Sequence, residues 1–106
     1  MIFIVAKFET KPEWTDRWIE HVRPFTEATR AEPGNRWFEW SRSVEEENTW
    51  VLVEAFDDDA AEAHVTSDHF RQAQQDLPQA LVRTPRVISE KIAAEDWAEL
   101  GEMSVD

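Results

Sequence analysis

A chain of 106 residues has room for one small domain, and 42% hydrophobic residues with six Trp and six Phe exclude a disordered polymer. Eleven basic against 23 acidic residues leave a formal charge of −12, which excludes a nucleic-acid backbone or an anionic membrane surface as partner, since both demand clustered Lys and Arg. Without Cys there are no disulfides, thiolate metal sites or cysteine nucleophiles, a composition that suits a reducing cytoplasm.

The longest apolar run, Met1 to Ala6, is too short for a membrane span of about 20 residues and lacks the basic leader of a secretion signal. Ile2 to Phe8, rich in β-branched and aromatic residues, reads as a buried strand. Thr10 is placed to cap a helix, with Glu13 reaching back in a capping box and Pro12 just inside the start. Trp14, Trp18, Val22, Phe25 and Thr29 then share one helical face, and Pro24 predicts a kink or break about one turn earlier. Glu32-Pro33-Gly34-Asn35 ends the helix and turns the chain.

Arg36 to Val44 reads as a strand with Phe38 and Trp40 on one face and Trp37, Glu39, Ser41 and Ser43 on the other. The polar Glu45-Glu46-Glu47-Asn48 has hairpin length. Trp50 to Phe56 is apolar on both faces except at Glu54, the pattern of a central strand. Asp57, Asp58 and Asp59 are candidate caps for a helix over Ala60 to His64. Thr66-Ser67-Asp68 restarts a helix to about Gln75, which Leu77-Pro78 ends. Arg86 to Ala93 reads as the last strand, and Trp97 and Leu100 as anchors of a short C-terminal helix.

The element order, β-α-β-β-α-β, predicts an α+β ferredoxin-like fold, with one antiparallel sheet and its helices on one face. Residues 1–93 form the expected domain and 94–106 an extension or tail. The other sheet face needs a cover, and a second copy of the chain, giving a homodimer, is the simplest one.

Three blocks carry a resemblance: Glu32-Pro33-Gly34-Asn35 with Phe38; Val53 to Phe56; and Ala60 to Phe70, which contains His64, Ser67, His69 and Phe70. Together they resemble the antibiotic biosynthesis monooxygenase (ABM) family, over about Ile2 to Lys91. The resemblance implies a dimeric α+β barrel, two ferredoxin-like sheets packed face to face, with a pocket between sheet and helices in each subunit. It also implies one of several activities: cofactor-independent oxygenation of aromatic phenols or quinols, haem degradation, or isomerisation of a phosphorylated autoinducer. The haem degraders use an Asn, a Trp and a downstream His ligand where this chain holds Lys7, His64 and Gln74. From Pro33 through Phe70 the sequence is locally closer to the autoinducer-processing branch.

Among the residues, His64 is the leading candidate for a base, because an imidazole titrates near neutrality. The competing reading is a histidine that fills the junction between two helices. Glu54 is either a buried acid–base group that orients His64 or the partner of Arg36, Arg42 or Lys91 across the sheet. His69 is either part of the site or an exposed helix-start histidine beside Asp68. Trp40, Phe38, Phe56 and Phe70 are candidate substrate walls, with core packing as the alternative. Three separated His residues offer no metal-ligand spacing, and two Gly residues make no phosphate loop. The expected activity is a monooxygenase that needs no cofactor and takes a small aromatic substrate and molecular oxygen. An isomerase using the same base and a non-catalytic binding dimer are the alternatives.

Overall fold

A computed structural model describes residues 1–106. Four strands, β1 (Ile2–Glu9), β2 (Asn35–Arg42), β3 (Thr49–Phe56) and β4 (Arg86–Lys91), form one antiparallel sheet in the order β2-β3-β1-β4. This is the α+β ferredoxin-like arrangement. The period of two explains its asymmetry. Ala6 and Phe8 of β1, Phe38 of β2 and Leu52 of β3 point to one face and join Trp18, Val22, Phe25, Ala73 and Leu77 in a single core.

The first helical stretch is three short pieces rather than one kinked helix: α1 (Pro12–Thr15), α2 (Trp18–His21) and α3 (Arg23–Arg30). The interruptions fall at Asp16-Arg17 and at Val22, just ahead of Pro24, whose ring cannot follow a continuous turn. Trp18, Val22, Phe25 and Thr29 nevertheless share the buried side, as their spacing predicts. Thr10 does not cap α1; the N-cap is Lys11, with no side-chain bond. Thr10 instead pairs its hydroxyl with Thr15 at 2.6 Å, and the two hydroxyls reach the carbonyl oxygen and Oδ1 of Asn48, at 3.2 and 2.9 Å. These groups tie α1 to the β2–β3 turn, where Asn48 takes a left-handed φ of 55°, a conformation Asn tolerates.

The second helical stretch is α4 (Ala61–Val65) followed by α5 (Asp68–Asp76). None of the three Asp residues caps α4; its N-cap is Ala60. Asp57 pairs with Arg36 at 2.8 Å, and Asp58 pairs with the N-terminal ammonium at 2.9 Å and with Lys91. Ser67 does cap α5, accepting the Phe70 N–H while donating to the His64 carbonyl at 2.6 Å. A 3-10 turn, Leu77–Ala80, closes this stretch.

On the opposite sheet face Phe3, Val5, Val51 and Val53 are half-buried, while Ile88 is 71% exposed. No C-terminal helix is anchored by Leu100, which is exposed; the extension forms only a 3-10 turn, Gly101–Met103. Trp97 lies on Trp37 of this open face, ring centroids 5.5 Å apart. No helix is long and apolar enough to cross a membrane.

Candidate active site

Strand alternation alone carries Glu54 into the core. It lies between Leu52 and Phe56 on the helix-facing side of β3, and only 6% of it is exposed. Its cross-strand neighbours are Ile4 and Phe38, neither of which offers a charge. The cross-sheet ion pair expected from sequence is absent, because Arg36 pairs with Asp57, Arg42 with Asp16 and Lys91 with Asp58. Burial without a fixed cation pushes the Glu54 carboxyl up to about 7, and the nearby Glu32 charge acts in the same direction.

The group that Glu54 faces is His64, whose Nε2 lies 3.9 Å from its Oε1. His64 occupies the last turn of α4 and is 4% exposed. Its ring packs among Phe56, Phe70 and Phe25, at centroid distances of 4.7, 5.1 and 5.8 Å. His64 thus fills the junction between α4 and α5, with its ring between the carboxyls of Glu32 and Glu54.

Its holder is Glu32, a residue that sequence reasoning assigned only to a turn. His64 Nδ1 and His69 Nε2 lie 2.7 and 2.6 Å from the same carboxylate oxygen, Glu32 Oε2. His69 is thus part of the cluster rather than a free helix-start residue, while Asp68 pairs with Arg71. Ser67 sets this convergence by joining α4 to α5, so both histidines meet the turn after α3. No local pattern marks Glu32; the signal lies in the neighbouring Gly34. A Cβ on Gly34 would sit 2.2 Å from the Ala60 Cβ, so only glycine lets this turn lie against the start of α4.

A groove of about 310 Å³ opens between α3 and α5, lined by His21, Pro24, Phe25, His69 and Gln72 among others. His69 is the member of this cluster that lines it, with 25% of its side chain exposed. Phe38 and Phe56 are almost wholly buried and do not line this groove. Trp40 donates from Nε1 to Thr26 at 2.9 Å and packs on Phe8 and Trp18, and Phe70 packs on Phe25 and His64. Glu32, His64 and His69 also bring three metal-competent donor atoms within 4.8 Å of one another, a set the linear spacing of the histidines does not reveal.

The family model for antibiotic biosynthesis monooxygenases matches residues 1–76. YcnE of Bacillus subtilis (strain 168), whose name describes it provisionally as a monooxygenase, is 33% identical over 72 residues, 67% of this chain and 76% of its own length. The solved structure of SO0527 from Shewanella oneidensis superposes with a TM-score of 0.74 at 26% identity, covering 84% of this chain and 87% of that one. Rv0793 from Mycobacterium tuberculosis superposes with a TM-score of 0.76 at 23% identity, covering 92% and 98%, and that likeness speaks for the fold.

Proposed function

The chain belongs to the antibiotic biosynthesis monooxygenase family, and from that premise we propose that it is a monooxygenase of small aromatic phenols or quinols. The observation that carries this reading is the Glu32 oxygen shared by two imidazoles, one sealed among aromatic rings and one facing a groove. A phenol seated in the groove meets His69 first. His69 takes the phenolic proton, and the Glu32 carboxylate stabilises the imidazolium that forms. His64, expected from sequence to touch the substrate, thereby becomes the buried partner that holds the carboxylate in place.

The phenolate is electron-rich enough to reduce oxygen itself. For a hydroquinone, one oxygen atom enters the ring as a hydroxyl and the other leaves as water. The ring ends as a hydroxyquinone, so the substrate supplies all four electrons and no external reductant is needed. Phe25 lines the groove and Phe70 packs behind it on Phe25 and His64, so the anion meets an apolar wall beside the imidazoles.

Oxygen uptake with a panel of small hydroquinones tests the reading. His69→Gln should lower uptake by about 10²–10⁴-fold, the usual worth of a positioned base. Turnover of a carbonyl substrate under nitrogen, with no oxygen consumed, would favour the isomerase reading instead, and binding without turnover would favour the binding module.

The open sheet face supports a second part of the proposal, a homodimer. Phe3, Val5, Val51, Val53 and Ile88 make that face apolar, and a small monomer rarely leaves such a patch to water. The unfolding midpoint should then rise with protein concentration; a monomer by light scattering at micromolar concentration would refute it.

A further inference from the structure

The carboxylate of Glu32 is largely buried, its side chain 15% exposed, yet its only ionic partners are two imidazoles. No Lys or Arg neutralises it. Three elements deliver the cluster: the turn after α3 carries Glu32, α4 carries His64 and α5 carries His69. Two imidazole nitrogens and one carboxylate oxygen are the donors that Zn²⁺ and its first-row neighbours accept, whereas Mg²⁺ and Ca²⁺ need oxygen cages. We propose that Glu32, His64 and His69 bind one divalent first-row transition-metal ion of the zinc class, a property of the same residues that is tested apart from the oxygenase reading.

The distances suit an exchange of protons for an ion. Around a tetrahedral ion with bonds of about 2.0–2.2 Å, ligand atoms stand roughly 3.3–3.5 Å apart. The present nitrogen–oxygen contacts of 2.7 and 2.6 Å are hydrogen bonds, and all three donor atoms lie within 4.8 Å of one another. Reaching the tetrahedral spacing moves the carboxylate out by roughly 0.7 Å and sets the two ring nitrogens, now within 4.8 Å of each other, at the same separation. Each neutral ring keeps one N–H by moving it to the other nitrogen. For His64 that nitrogen is Nε2, which faces Glu54 at 3.9 Å, and a carboxyl behind a ligating histidine is the common outer partner of such sites. His69 borders the groove, so water has access to a fourth position. Three protein ligands with one open position make a site that binds an ion and leaves it accessible.

The test is titration of the chelator-stripped full chain with Zn²⁺ in competition with a chromophoric chelator. One Zn²⁺ per chain is expected, undisturbed by excess Mg²⁺, with a rise in the thermal midpoint. Losing an outer partner of a metal ligand typically costs about 10–100-fold, so His69→Gln and Glu32→Gln, which remove a ligand outright, should each weaken binding by at least about 100-fold. His21→Gln, on the same groove but outside the cluster, should leave affinity unchanged, and circular dichroism should show all three variants folded. Absence of stoichiometric binding, or wild-type affinity in both ligand variants, would overturn the proposal. Oxygen uptake is read separately on the metal-free chain, so a failure of the oxygenase reading would leave this result standing, and the reverse.

Discussion

Two ends of the helical layer bury polar side chains, and they do it in opposite ways. At one end Thr10, Thr15 and Asn48 close on one another with neutral hydrogen bonds, and each hydroxyl has a partner. At the other, Glu32, Glu54, His64 and His69 bring two carboxyls and two imidazoles together without a fixed cation. The first arrangement is saturated and cannot change charge, so it fastens α1 to the β2–β3 turn and nothing more. The second can gain or lose protons, and the fold supports that capacity with burial it could have given to apolar residues. Buried polarity by itself does not mark a site; buried polarity that can titrate makes a candidate for one.

The sharpest way to separate the two ends is to vary pH. The Glu54 carboxyl, raised from 4.5 to about 7, stays protonated in the fold after it would have ionised in the unfolded chain. Its contribution is full below about 4.5, and stability falls as pH rises through 7. The loss approaches about 3 kcal/mol, because each tenfold change in proton affinity between the folded and unfolded chain is worth about 1.4 kcal/mol. Denaturant midpoints taken from pH 5 to 8 should show this decline in the wild type and a flatter profile in Glu54→Gln. If the two profiles coincide, Glu54 is not held neutral.

At the hydroxyl end the expectation is a constant loss. Thr15→Val strands the Asn48 side-chain oxygen, while the Thr10 hydroxyl keeps the Asn48 carbonyl, and should cost about 1–3 kcal/mol, equally at pH 5 and pH 8. A loss that varied with pH would erase the contrast between the ends. The smallest effect belongs to the joint that positions both histidines. Ser67→Ala removes the α5 cap and should cost about 1 kcal/mol in chemical denaturation. An unchanged midpoint would mean that tertiary packing alone aligns α4 with α5.

Local chemistry made much of this legible. Alternation placed Phe38 and Trp40 on one strand face, helical spacing placed Trp18, Val22 and Phe25 on the helix face that packs against it, and the resemblance around His64 pointed to the end of the molecule where Glu32, Glu54, His64 and His69 meet. The misread polar groups share one cause: each has a partner that is distant in sequence. Thr10 has the identity of a cap, but Asn48 and Thr15 compete for its hydroxyl. The Asp57–Asp59 run has the look of a helix start, but Arg36, Lys91 and the chain terminus claim two of its members. Glu54 could be recognised as odd in its strand, yet its lack of a cation depended on where three basic residues went. Glu32 and His69 stand 37 residues apart, and only the folded chain makes them neighbours.

Gly34 gives this end of the molecule a rule of substitution. Its φ is ordinary, so the demand for glycine comes from space alone: the missing methyl at 34 is the room that Ala60 fills. Positions 34 and 60 therefore share a single allowance of volume, on the two segments that carry Glu32 and His64. A side chain gained at one must be surrendered at the other, or the carboxylate and the imidazole part company. The surface around the groove can drift one residue at a time, whereas these two positions, which perform no chemistry, can change only as a pair.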